Sequence, residues 1–124
     1  MLRVRRVYEP PDPADGYRVL VDRLWPRGLT KEAAHVDAWL RDLAPSDDLR
    51  RCFAHDPARW PAFRERYRAA LLASPHRARL DELAQRMRVG AVTLLYEARD
   101  AARNNAVVLA EVLDELAGDP HRGT

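Results

Sequence analysis

The amino-acid sequence predicts an α/β fold. The expected core is a small, mainly parallel sheet of about three strands flanked by about five helices. The layering is Rossmann-like, with a helical insertion between strands two and three. Three observations carry this. Ala91–Tyr96 (Ala-Val-Thr-Leu-Leu-Tyr) is an unbroken apolar run, which suits a strand covered on both faces in a parallel sheet. Tyr17–Leu24 is rich in aromatic, β-branched and aliphatic residues and breaks at Pro26 and Gly28. The long segment between these two stretches has apolar residues at helical rather than alternating spacing.

Taken in order, Leu2–Tyr8 alternates apolar residues with arginines before Val7 breaks the phase, which predicts a strand toward a sheet edge. Glu9–Gly16 contains Pro10, Pro11 and Pro13 and predicts a stiff loop. Tyr17–Leu24 is the second strand. Pro26 gives no N–H to a ladder and disfavours helix at Trp25, so a charged, aromatic loop begins there.

Thr30 caps a predicted helix over 31–43, on which Val36, Trp39, Leu40 and Leu43 share a face; Pro45 ends it. Ser46 caps a short helix with Asp47 and Asp48 in its first turn and Leu49, Cys52 and Phe53 inward. Asp56-Pro57 opens a helix to about residue 73 with Trp60, Phe63, Tyr67, Ala70 and Leu71 as its stripe; Pro61 sits awkwardly one turn inside. Ser74-Pro75 caps the next, to about Arg88, lined by Leu80, Leu83, Ala84 and Met87. After the third strand, a helix over 101–117 carries Val108, Leu109, Val112, Leu113 and Leu116 on one face, followed by a frayed tail over 118–124. The whole is expected to be one domain over 1–124, with its core at 2–117.

Composition excludes several classes. Lys31 is the sole lysine among 21 basic residues, and the formal net charge is only +2, so no polyelectrolyte partner is implied. Arginine presents a rigid fork suited to carboxylate or phosphate, which points to anion recognition, although codon usage alone also enriches arginine. Cys52 is the only cysteine, ruling out an internal disulfide and a multi-cysteine metal site and fitting a reducing cytoplasm. No secretory leader or membrane span is evident, so the expected location is cytoplasmic.

Two constellations could carry chemistry. Asp22, Arg23, Trp25 and Arg27 follow the second strand: a carboxylate, two guanidiniums for charge-assisted bonds, and a flat face for stacking. Glu97-Ala-Arg-Asp100 and Asn104-Asn105 run from the third strand into the last helix, where doubly wound folds place ligands, and Arg99, Asp100, Asn104 and Asn105 supply donors and acceptors there. Each has a plainer structural role: an internal Asp–Arg network with Trp25 in the core, or Asp100 as a cap and Asn105 as a helix contact. His55 beside Asp56 is a further candidate, although packing is the plainer account of it, and Cys52 lies three residues before it without a supporting signature. His35, His76 and His121 are scattered, so no metal is expected. No glycine-rich phosphate loop exists, and no cofactor is implied.

Val-Asp-Arg-Leu-Trp-Pro-Arg-Gly (21–28), Trp-Leu-Arg-Asp-Leu-Ala-Pro-Ser (39–46), Phe-Ala-His-Asp-Pro (53–57), the Trp60/Phe63/Tyr67 helix, Thr-Leu-Leu-Tyr (93–96) and Asn-Asn-Ala (104–106) together resemble the YeaO-like bacterial proteins, the family called domain of unknown function 488. The resemblance covers about 2–117 and implies a small cytoplasmic α/β domain without an assigned activity. Broader members carry Cys-x-Glu after the last strand and Cys-His-Arg at the following helix. Here those positions hold Tyr96, Ala98, Asn104, Asn105 and Ala106, so thiol, metal or histidine chemistry does not carry over residue by residue.

The expected function is binding of a small anionic or nucleotide-like ligand at the strand C-terminal ends by Asp22, Arg23, Trp25, Arg27, His55, Arg99, Asp100, Asn104 and Asn105, with or without catalysis. The alternatives are a nucleic-acid-binding or regulatory module using Arg64, Arg66 and Arg68, and a protein-interaction domain such as a homodimer presenting an exposed Trp25.

Overall fold

Four parallel strands form one sheet in the order β1-β4-β2-β3: β1 Leu2–Arg6, β2 Tyr17–Leu20, β3 Ala38–Trp39 and β4 Val92–Tyr96. The computed structural model describes residues 1–73 and 75–118. The all-apolar β4 lies between β1 and β2 and every one of its residues is buried, as a strand covered on both faces requires. The arginine-bearing β1 is an edge strand.

The sheet's two faces differ because side chains alternate along each strand. One face presents Leu2 and Val4, Val19 and Val21, and Val92, Leu94 and Tyr96 to α3 (Trp60–Leu72), α4 (Arg77–Val89) and α5 (Asn105–Gly118), forming the main core with Phe63, Tyr67, Leu80, Leu109 and Leu113. The other presents Leu20 and Leu95 to a smaller cluster closed by Val7, Trp25, Leu29, Val36 and Trp39. Beside it on that face, Asp15 is fully buried among three arginines: Arg3 Nη1 lies 3.1 Å and Arg5 Nη1 2.9 Å from its carboxylate, and Arg18 Nη1 pairs with it too.

Several sequence expectations need correction. The sheet has a fourth strand, and the second ends at Leu20, not Leu24, because the chain turns away at Val21–Asp22. The helix expected over 31–43 is only α1, Lys31–Ala34, capped by Thr30 Oγ1 and stopped by His35 in the left-handed region. Ala38–Trp39 then pairs with β2, and a 3-10 turn spans Arg41–Leu43. The helical spacing there was coincidental. Val36 and Trp39 pack in the smaller cluster while Leu40 and Leu43 join the main core, so they serve opposite sides of the sheet.

Pro61 is accommodated because α3 starts at Trp60, after a 3-10 turn over Pro57–Arg59, so the proline lies in the first turn where no N–H partner is needed. The short helix α2, Asp47–Phe53, is capped by Ser46 as expected. The last helix begins at Asn105, not Ala101; Asp100 takes the Ala102 and Arg103 N–H groups before it, and Asn104 caps it by accepting the Val107 N–H. The Ser74 cap and the tail beyond Gly118 lie outside the described residues. Among the described residues no helix is long and apolar enough to cross a membrane.

Candidate functional site

The exits of β1, β4 and β2 point the same way, and two adjoining hollows open above them. Asp22 stands just past β2. Its Oδ2 accepts the Glu97 N–H at 2.7 Å, so the exits of β2 and β4 are tied together by that carboxylate. The Asp22 carbonyl accepts Trp39 Nε1 at 2.7 Å, and the preceding Val21 carbonyl accepts Asn105 Nδ2 at 2.9 Å, which fixes the turn from both sides. Burial pushes the Asp22 carboxyl above its usual range. The Glu97 N–H and the Asn105 side chain oppose that shift, and the Glu97 charge adds to it.

The first hollow, about 610 Å³, holds Asp22 with Phe53, Phe63 and Pro45 and with the 65% exposed Leu24. Its arginines are already paired: Arg23 Nε is 3.5 Å and Arg50 Nη1 3.2 Å from Asp47, which also lines the hollow, and Arg51 pairs with Asp48 at 3.2 Å. Asn104 and Asn105 also line it, so Asp22 and Asn104 share one cavity. Asn104 is only 2% exposed. Its Oδ1 accepts Val107 N–H and its Nδ2 donates to Asp100 O, so it works as the cap of α5.

The second hollow, about 710 Å³, is lined by Arg6, Tyr8, Arg27, Arg99 and Asp100 and shares His55, Glu97 and Ala98 with the first. Among the described residues, none of the Arg6, Arg27 and Arg99 guanidiniums makes an ion pair. Arg6 Nε donates to the Glu97 and Ala98 carbonyls. The Glu97 carboxylate is held between the hollows by the Arg27 N–H and the Tyr8 hydroxyl, both at 3.2 Å. Asp100 accepts from Ala102 and Arg103 N–H and pairs with Arg103, which holds its carboxyl below the usual range; the Ala102 bond contributes most.

His55 stands where the hollows meet, on a strained turn. Ala54 (φ 47°) and His55 (φ 56°) are both left-handed without being glycine, a conformation that disfavours ordinary side chains. The turn holds the His55 ring 5.7 Å from that of Phe53.

The structure therefore brings Asp22, Arg23, His55, Asn104 and Asn105 to one hollow and Arg27, His55, Arg99 and Asp100 to its neighbour. It separates Arg23 from Arg27, which do not converge on one point. Trp25 belongs to neither hollow. It is half-buried, donates Nε1 to Leu29 O and meets Trp39 edge-on at 5.5 Å, so it offers neither a ligand platform nor an exposed patch. Sequence reasoning took in Glu97 at the head of the segment after β4 but missed Arg6, Arg50 and Tyr8. The rule that ligands sit past strand ends would have found Arg6, which ends β1.

Two of the three α3 arginines that could face a nucleic acid are already paired. Arg64 and Arg68 bridge to Glu111 and Glu115 of α5 at 2.7 and 2.8 Å. Among the described residues no group of histidines, cysteines and carboxylates is arranged to hold a metal.

The chain matches the family model described as the inactive DUF488-N3 subclade over residues 1–121. It is 40% identical to the uncharacterized protein YeaO of Escherichia coli (strain K12) over 93% of this chain and 98% of that protein. It is 45% identical to the uncharacterized protein Rv3073c of Mycobacterium tuberculosis (strain ATCC 25618 / H37Rv) over 91% of this chain and 93% of that protein. No solved structure matches it significantly.

Proposed function

Given that the chain belongs to the DUF488 family, in its inactive N3 subclade, we propose that the cleft above the strand ends binds a small anionic ligand without transforming it. One observation carries this reading: Arg6, Arg27 and Arg99 line one hollow with no carboxylate partner among the described residues. A cluster of guanidiniums repels itself, and a bound anion relieves that repulsion through charge-assisted hydrogen bonds. The neighbouring hollow, part apolar and part polar, has the size and mixed lining of a small-molecule site. The paired left-handed residues beside it are the kind of strain that folds retain where geometry matters to binding. The subclade's description, and the absence here of the cysteines and histidine of broader members, support binding rather than turnover.

The test is thermal shift and calorimetry on the full chain against phosphate, carboxylate and nucleotide probes. A ligand at ten times its Kd is expected to stabilise the protein by about 1.4 kcal/mol. Arg27→Ala and Arg99→Ala should each weaken binding about tenfold, the scale of one charge-assisted bond, while the remote Arg66→Ala should not. Phosphorus NMR of a phosphorylated probe is expected to show it unchanged after long incubation. If no probe shifts the melting temperature, the reading fails; steady conversion of the probe removes its non-catalytic half.

A further inference from the structure

The hollows differ in charge in a way that divides a ligand between them. In the first, Arg23, Arg50 and Arg51 are offset by Asp47, by Asp48 beside it and by Asp22, with the shared Glu97 counted in the second. The first hollow suits an uncharged group. Phe53, Phe63 and Pro45 give that group apolar contact, and Leu24, left 65% exposed, can close over it. The Asp22 carboxylate offers about four acceptor sites, of which the Glu97 N–H takes one and the Asn105 amide another. A neutral heterocycle carrying an N–H in its ring meets both demands, burying apolar area and donating to a carboxylate.

The second hollow holds Arg6, Arg27 and Arg99 against Glu97, because Asp100 is already occupied by Arg103 and by backbone donors. That leaves a surplus of two positive charges, which a single phosphomonoester, about −1.5 to −2 at neutral pH, balances. A longer phosphate chain would add negative charge with nothing further to meet it.

We propose that the cleft takes a nucleoside monophosphate, with its base in the first hollow donating a ring N–H to Asp22 and its phosphate on Arg6, Arg27 and Arg99. This rests on the anion-binding reading above and adds the ring and the number of phosphates. His55, at the junction, lies where the sugar passes. Asp22 favours bases with an N–H beside a carbonyl, such as hypoxanthine, over adenine, whose matching ring nitrogen is an acceptor and is repelled by the carboxylate.

Calorimetry on the full chain with inosine monophosphate, adenosine monophosphate and ribose 5-phosphate tests this. Inosine monophosphate is expected to bind about tenfold tighter than either of the others, one good hydrogen bond to a charged group. Asp22→Asn should erase that preference and leave ribose 5-phosphate binding as it was. Arg99→Ala should weaken all three alike. A melting curve confirms that Asp22→Asn is folded, since an amide still accepts the Glu97 N–H. If ribose 5-phosphate binds as tightly as inosine monophosphate, or Asp22→Asn leaves the preference intact, the base assignment is overturned while the anion site stands. If none of the phosphorylated probes binds, both readings fall together.

Discussion

Two carboxylates in this chain, Asp15 fully buried and Asp22 half-buried, respond to burial in opposite ways. Burial alone would raise Asp15, but the Asp12 N–H and the Arg5 and Arg18 guanidiniums outweigh it and hold the carboxyl below its usual range. Asp22 has one backbone donor and one amide against burial and a neighbouring Glu97, and its carboxyl is held above that range. The linkage signs follow. Asp15 contributes stability that is present above the unfolded-state pKa, near about 3.9, and is lost as pH falls through its lowered folded value. Asp22 contributes stability only below the unfolded-state value, and loses it as pH rises through its raised folded value. At neutral pH Asp15 therefore stabilises the fold and Asp22 works against it. Asp15→Asn is expected to cost about 3 kcal/mol, because it strands three arginine side chains around a neutral group. Asp22→Asn should raise the melting temperature by about 4 °C at pH 7, the effect of about 1 kcal/mol in a chain this size, with the gain vanishing below about pH 4. Thermal melts of both variants across pH check the two signs. A residue whose replacement stabilises the fold is being kept for something other than folding, which fits a ligand contact.

At the scale of elements, what the chain reveals in advance depends on whether one environment or two acts on a segment. β4 was legible because all five of its residues face burial, and α3 and α5 because each turns a single stripe to one core. Residues 31–43 were not. Their apolar side chains divide between two clusters on opposite sides of the sheet, and the division imitates a helical repeat. The exit of β2 was overextended for a related reason: Leu24 is apolar but 65% exposed, and nothing local distinguishes it from Leu20, which is fully buried. Two junctions show how closely the elements are fitted. Gly16 enters β2 at φ +64°, and a β-carbon there would sit 2.3 Å from the Ala91 carbonyl at the start of β4. Gly16→Ala should cost about 2–3 kcal/mol, since the obstacle is backbone and the dihedral is strained as well. Ala54 ends α2 at φ +47°, where glycine is at ease, so Ala54→Gly is expected to gain about 0.5 kcal/mol after the added freedom of its unfolded chain is counted. Urea unfolding of the two variants measures both.

Across the whole molecule, the cleft is built from segments far apart in the chain, and that limits what the sequence revealed of it. The strand-end rule led to Asp22, Arg27, Asn105 and Arg99 because each follows a recognisable strand. It did not reveal that Arg23 would turn to Asp47 while Arg27 joined Arg6, since that depends on where α2 packs. Nor did it place Trp25 beneath Leu29, a contact made by the loop folding back on itself. The same dispersion gives a test that needs no variant. The cleft's walls come from the loop after β2 (22–29), the turn after α2 (53–56) and the link from β4 to α5 (97–105), and most of their backbone lies outside the ladders and helices. Such segments open locally at little cost, whereas the amides of β4, paired on both sides and fully buried, should exchange only when the sheet opens. A ligand that bridges the two hollows must slow exchange in all three wall segments together, by up to the factor 1 + [L]/Kd, and leave β4 slow and unchanged by comparison. A molecule held by surface arginines alone would slow one segment or none. Hydrogen exchange with and without a nucleoside monophosphate separates the two, because protection confined to 97–105 would mean the phosphate binds without engaging the hollow over Asp22.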